Sequence, residues 1–132
     1  MTDRKSIRVV AAEIERDGKF LITQRRPEAM LPLLWEFPSG RVEDGEDDDV
    51  ALRRELVERL GVQVDVQQLS MFLKHEYDDY VVDFCVYRCT LKTEEIEARR
   101  VHDWRWVTPV EMDQYEFPPA DAQTLQKLLE NR

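Results

Sequence analysis

Residues 40–62 read GRVEDGEDDDVALRRELVERLGV, and the interpretation of the whole chain starts from this stretch. Apolar side chains recur at helical spacing from residue 48 to residue 60, and Gly61 supplies a helix stop. On that predicted helix, Glu55 and Glu58 are three residues apart and share a face, where their like charges destabilise the helix slightly. A cation bound between the two carboxylates would reverse that effect.

The charge pattern of this stretch alone favours a solvated, salt-bridged helix face. The fixed spacing of its residue types distinguishes it from such an ordinary surface helix. The stretch resembles the Nudix box, Gly-x5-Glu-x7-Arg-Glu-apolar-x-Glu-Glu-x-Gly-apolar, at every specified position but one. WEFPSGRVEDGE at residues 35–46, TQRR at residues 23–26 and FPPAD at residues 117–121 extend the likeness to MutT-type members of that family. The resemblance implies an α/β/α sandwich, divalent metal dependence, and attack of water on a nucleoside diphosphate linked to another group.

Strand and helix patterns follow one another without a βαβ rhythm, which indicates an α+β or mixed α/β fold. Residues 7–15 and 19–25 are typical of a hairpin joined across Arg16, Asp17 and Gly18. The further elements that we predict are extended structure from residue 62, a second hairpin over residues 71–90, a strand over 104–107, a capped helix from Thr108 and a final amphipathic helix over 121–130.

Composition predicts one cytoplasmic domain spanning residues 1–132. The chain is 42% hydrophobic and 36% charged, which is typical of a globular rather than a disordered protein. Its sequence has neither an apolar run approaching the roughly 18–20 residues of a membrane span nor a signal-peptide pattern. The net charge of −9 argues against non-specific binding to nucleic acid, although a bridging cation lets an acidic protein hold an anionic nucleotide. We expect a monomer or homodimer.

Two cysteines, Cys85 and Cys89, fall in one β-rich run. On a strand they share a face about 13 Å apart, at ~3.3 Å per residue, which is too far for a disulfide. The sequence offers no second Cys/His pair at metal-binding spacing, so we assign both cysteines a packing role.

Carried over residue by residue, the resemblance implies a metal site made by Glu55, Glu58 and the backbone carbonyl of Ser39, with Mg²⁺ or Mn²⁺ as the cation. Glu46 lies just before the helix, and Arg54 would hold it and its loop in place. Glu55 is the first choice for the base, or for the group that positions the base.

The fourth acid of the box is replaced by Arg59, which cannot ligate a cation and adds positive charge beside the site. Three outcomes remain open: catalysis with fewer metals, a ligand supplied elsewhere, or a weakened domain used for binding. Arg59 could also hold a substrate phosphate bidentately. MutT-like enzymes draw a further acid from the segment before the last strand. Glu95 is the best match, with Glu94 and Glu97 as rivals, and a solvated loop acid is an equally good interpretation.

Base recognition rests on Arg25 and Asp121, since MutT-like proteins commonly use an arginine and an asparagine at these positions. An ionised aspartate only accepts hydrogen bonds, so a base that shows N–H donors, such as guanine or cytosine, is favoured. Alternatively, Asp121 merely caps the final helix. Phe37, Trp35 and Tyr77 are potential stacking surfaces, although aromatic residues in strands are more often part of the core.

The leading hypothesis is a MutT-type nucleoside triphosphate pyrophosphohydrolase that releases a monophosphate and pyrophosphate. The alternatives are a hydrolase of nucleoside-diphosphate sugars or capped RNA, and a Nudix-like nucleotide-binding domain without turnover.

Overall fold

The computed structural model describes residues 5–29, 31–76, 78 and 80–117. Tyr77, Asp121 and the helix predicted over residues 121–130 lie outside the described residues. Within them the elements run in the order β1 (Lys5–Arg16), β2 (Lys19–Gln24), β3 (Trp35–Glu36), β4 (Ser39–Arg41), α1 (Asp48–Leu60), β5 (Val64–Glu76), β6 (Tyr80–Leu91), β7 (Asp103–Val107) and α2 (Pro109–Met112).

The strands form one mixed sheet in the order β3-β2-β1-β6-β5, with β4 paired to β1 and β7 paired to β2. β1 and β6 run parallel, from the pair Lys5↔Tyr80 to the pair Ile14↔Cys89, whereas the other pairings are antiparallel. The α+β class and the mixed sheet are thus confirmed.

The first hairpin is confirmed, but its own pairing is short. Glu15 pairs with Phe20 and Arg16 pairs with Lys19, so the turn is the two residues Asp17 and Gly18. Both have positive φ, 52° and 76°, as a tight turn between twisted strands requires. Beyond this tip the strands take different partners: β1 pairs with β4 and β6, and β2 pairs with β3 and β7.

The second predicted hairpin is also present, and its strands are longer than expected. β5 pairs with β6 from Val64↔Leu91 to Glu76↔Val81, and register shifts on either side of Leu69 interrupt the ladder. The extended structure expected from residue 62 therefore belongs to this hairpin. Strand β7 and the capping box of α2, in which Thr108 and Glu111 bond reciprocally, match the predictions as well.

Helix α1 has the predicted bounds, because Gly61 ends it with φ 66° and donates its N–H to Val57 O at 2.9 Å. Val50 and Val57 are 44% and 42% exposed, and they lie outside the core despite being apolar. At about 100° per residue the two valines lie on the side away from Leu52 and Leu56, which are fully buried.

The main core lies between α1 and one face of the sheet. Its buried members include Val10, Ala12 and Ile14 of β1, Leu52, Leu56 and Leu60 of α1, and both cysteines of β6. Cys85 and Cys89 are free thiols, so their predicted packing role is confirmed. Burial raises the pKa of both thiols, and for Cys89 the value reaches about 12.

An ion-pair network anchors the start of α1 to the sheet. Arg8 of β1 donates Nε and Nη2 to the two carboxylate oxygens of Asp48, at 2.6 and 2.7 Å, and Tyr87 of β6 also donates its hydroxyl to Asp48. The hydrogen bond from Arg8 holds the pKa of Asp48 below its ordinary value. The anchor fixes the first turn of the helix relative to β1 and β6. Within the residues described, α1 and α2 are both too short to cross a membrane.

Candidate active site

Glycine is required at residue 40 because a glutamate side chain fills the space above it. Strand β4 pairs Gly40 with Val10 of β1 and brings its backbone against α1. A Cβ atom at residue 40 would lie 2.1 Å from Cδ and 2.5 Å from Oε2 of Glu55. Glu55 is 9% exposed, so its carboxylate is seated between the helix and the strand, next to the buried Ser39.

Arg54 joins the loop before α1 to the helix. Its Nε and Nη2 donate to the two carboxylate oxygens of Glu46, both at 2.9 Å, and Nη2 also donates to the carbonyl of Arg41 at 3.0 Å. The backbone N–H of Glu43 donates to Glu46 as well. These bonds, led by that from Arg54, lower the pKa of Glu46 to about 2. This is the geometry that a structural role for Arg54 requires.

Guanidinium groups surround the helix acids. Glu55 accepts Arg54 Nη1 on Oε1 at 2.9 Å and Arg59 Nε on Oε2 at 2.8 Å. Arg54 Nη1 also lies 3.6 Å from Glu58 Oε2, and Arg100 Nη1 lies 3.6 Å from the same oxygen. The structure therefore brings Glu46, Arg54, Glu55 and Glu58 together, with arginine nitrogens at the oxygens that the resemblance gives to a cation.

A cation would have to be held by few protein ligands. The described part of the chain brings together no group of three His, Cys, Asp or Glu side chains that could hold a metal ion. Glu95 is exposed and is not gathered with Glu55 and Glu58 into such a group. Two carboxylates and the Ser39 carbonyl remain. That donor set fits Mg²⁺, which is usually held by one or two carboxylates with substrate phosphates and waters completing its shell.

A polar cleft of about 220 Å³ opens beside the C-terminal half of α1. Arg25 lies in its lining, is 8% exposed and donates Nη1 to Glu36 at 3.1 Å. The full lining is Thr23, Gln24, Arg25, Arg26, Glu28, Ala29, Glu36, Arg59, Arg100 and Val101. Of these residues, Arg25 and Arg59 are predicted substrate-binding residues. Arg26 is the last residue of the TQRR motif, whereas no sequence signal identifies Arg100.

The predicted stacking residue Phe37 lies elsewhere. Its ring makes edge contacts with Phe20 and Phe117, at centroid distances of 6.5 and 6.3 Å, and it is not part of the cleft lining. Trp35 likewise packs edge-on against Tyr115 at 4.9 Å. The structure therefore does not bring Phe37 together with Arg25 and Arg59.

The fold and the arginine-held acids on a loop–helix unit define a Nudix-type hydrolase domain. The model of the family described as NUDIX domain matches residues 9–127, and the chain belongs to this family as a MutT-type hydrolase. It is an enzyme of the pyrophosphohydrolase class.

Relatives along nearly the whole chain support this assignment. The CTP pyrophosphohydrolase of Escherichia coli K12 is 34% identical, over 95% of this chain and 93% of that protein. The 8-oxo-dGTP diphosphatase of Haemophilus influenzae Rd is 32% identical, over 96% and 94%. Among solved structures, the E. coli ORF135 protein superposes with a TM-score of 0.75 at 33% identity, over 96% of this chain and 91% of that chain.

Proposed function

We propose that this protein is a divalent-metal-dependent nucleoside triphosphate pyrophosphohydrolase that releases a monophosphate and pyrophosphate. The observation that carries the proposal is the seat of Glu55, a nearly buried carboxylate held against Gly40 by two guanidinium groups. The packing of β4 against α1 fixes this carboxylate at one position, as a group that acts on a single bound water requires. The relatives named as CTP pyrophosphohydrolase and 8-oxo-dGTP diphosphatase support the choice of a nucleoside triphosphate.

Glu55, Glu58 and the Ser39 carbonyl would hold the cation. When bound, the cation neutralises phosphate charge and lowers the pKa of the attacking water. The chain itself orients the groups around it. Glu55 takes the proton from the water or positions the group that does, and Arg54 keeps the Glu46 loop against the helix so that the acids stay in place.

Base selection is proposed to depend on Arg25. Its side chain is 6% exposed, lies in the lining of the cleft and is held in one orientation by its bond to Glu36. Arginine donors suit bases that carry exposed acceptors, such as guanine O6 and N7. Asp121, which lies outside the described residues, would supply acceptors for N–H donors of guanine or cytosine. The two relatives are named for CTP, which carries cytosine, and for 8-oxo-dGTP, which carries an oxidised guanine.

One observation favours a second candidate, a nucleotide-binding domain without turnover. Arg59 occupies Oε2 of Glu55 at 2.8 Å, so a cation has to displace a guanidinium from its ligand. If the displacement is too costly, the cleft would bind nucleotide while the acids remain inactive. Hydrolysis of nucleoside-diphosphate sugars or capped RNA is a further alternative within the enzyme class.

A nucleotide panel tests the proposal. CTP, 8-oxo-dGTP, ATP, a UDP-sugar and a capped oligonucleotide would each be incubated with Mg²⁺, with Mn²⁺ and with EDTA, while pyrophosphate and phosphate release are measured. We expect pyrophosphate from CTP or 8-oxo-dGTP with metal only, and a loss of about 10²–10⁴ in rate for Glu58→Gln. Arg53→Gln, on the exposed face of the same helix, is the matched control and should retain full turnover. Binding of these nucleotides without release of any product would favour the second candidate.

A further inference from the structure

Two arginines link the acids of α1 to the neighbouring cleft. Arg59 donates Nε to Glu55, and Arg100 Nη1 lies 3.6 Å from Glu58 Oε2. Both side chains also line the cleft. Each of them therefore touches a helix acid and forms part of the cleft wall.

The backbone holds these two arginines side by side. The amide N–H of Arg100 donates to the carbonyl of Arg59 at 3.1 Å, and that of Arg99 donates to the same carbonyl at 3.0 Å. These bonds fix the segment before β7 against the end of α1. Arg59 and Arg100 thus belong to one rigid corner of the cleft although they are far apart in the sequence.

The excess positive charge of the cleft comes from this corner. Two of the lining arginines have carboxylate partners that also line the cleft: Arg25 pairs with Glu36 at 3.1 Å, and Arg26 pairs with Glu28 at 2.7 Å. The acids that pair with Arg59 and Arg100 lie on α1, outside the lining. When those acids turn to another partner, the cleft gains two uncompensated guanidinium groups.

We propose that Arg59 and Arg100 exchange partners when substrate binds, giving up Glu55 and Glu58 to a divalent cation and taking phosphate oxygens of the nucleotide in the cleft. The inference rests on the proposed function and concerns how its site binds charge. The guanidinium of Arg59 is 24% exposed in its side chain, so it would be destabilised if it lost Glu55 without a replacement, and its release is favourable only if another anion arrives. Phosphate is a suitable anion because the planar fork of arginine binds two of its oxygens at once.

If the arginines exchange partners in this way, removing one of them should change the affinity for metal and the affinity for phosphate in opposite directions. In Arg59→Gln the cation has no charged competitor for Glu55, so the affinity for metal should rise. The same variant lacks a phosphate donor, so the affinity for phosphate should fall. A residue that merely supported the fold would shift both affinities in one direction or neither.

Isothermal titration calorimetry tests this without turnover, using Mn²⁺ alone and, separately, pyrophosphate alone on EDTA-treated protein. For Arg59→Gln we expect Mn²⁺ to bind about tenfold more tightly and pyrophosphate about tenfold more weakly, which is the lower end of the contribution of one hydrogen bond to a charged group. Arg53→Gln carries the same charge change on the same helix, pairs with Asp49 instead and does not line the cleft, so neither constant should move.

A second variant keeps the test decisive if Arg59→Gln does not fold. Arg100 is 64% exposed in its side chain, so Arg100→Gln should fold normally and shift both constants in the same directions as Arg59→Gln. Parallel shifts, unchanged constants, or equal shifts in Arg53→Gln would overturn the exchange. Both constants are independent of catalysis: opposite shifts in a chain that hydrolyses none of the panel would refute the proposed function and leave the exchange standing.

Discussion

Substituting alanine at residue 40 should separate the position of Glu55 from the stability of the fold. The new Cβ would lie 2.1 Å from Glu55 Cδ, whereas ordinary van der Waals contact begins at 3.4 Å. The carboxyl group must therefore retreat by about 1.3 Å, the difference between these two distances. Misplacing a catalytic group by about 1 Å costs roughly 10²-fold in rate, so kcat of Gly40→Ala should fall by about two orders of magnitude.

The assay is pyrophosphate release at saturating nucleotide and metal, with circular dichroism and thermal melting on the same samples. Gly18→Ala is the matched control. Gly18 lies at the hairpin tip with φ 76°, and nothing lies within 4 Å of the added Cβ. The substitution should therefore lower the stability by roughly 1–2 kcal/mol through backbone strain and leave kcat unchanged. A folded Gly40→Ala protein with kcat within threefold of wild type would refute the assignment of Glu55.

The further predictions concern Arg54, Glu46 and Cys89. Arg54→Lys replaces a bidentate fork by a single ammonium group, so activity or metal affinity should fall ~10–100-fold in steady-state assays; an unchanged enzyme would exclude the positioning role. The pKa of Glu46 is lowered from 4.5 to about 2, so its stabilising effect is complete above 4.5 and disappears as the pH falls to about 2. The difference in Tm between wild type and Glu46→Gln should vanish over that interval, and a difference independent of pH would contradict this origin. Because burial raises the pKa of Cys89 to about 12, iodoacetamide at pH 8 should label it in urea and not in the native protein; rapid native labelling would show that the core opens.

The sequence was most informative where structure is local. The bounds of α1 could be predicted because a periodic apolar pattern meets a glycine that takes the left-handed conformation at Gly61. The same pattern could not tell that Val50 and Val57 stay exposed while Glu55 is buried, since burial depends on what packs against each side of the helix. The hairpin across Asp17 and Gly18 was predictable for the same local reason.

Local sequence patterns could not predict which strands pair across long distances in the chain. The parallel pairing of β1 with β6 joins segments such as Ile14 and Cys89, far apart in the chain, and no residue type encodes that register. At the site, the spacing of the box brought out Glu46, Arg54, Glu55 and Glu58 together. The cleft was not predictable, because Arg100 reaches it only through the backbone bonds that fix its segment against the end of α1.

The acids held by arginines on α1 are proposed to support metal-dependent release of pyrophosphate from a nucleoside triphosphate. The most direct measurement is the rate of that release by Glu55→Gln and by wild type, with CTP and 8-oxo-dGTP, at saturating Mg²⁺ and after EDTA treatment. If this proposal is right, the wild type turns over with Mg²⁺ only, and the rate of the folded variant is at least about 10²-fold lower. Equal rates for the two proteins, or wild-type turnover that survives EDTA, would contradict it.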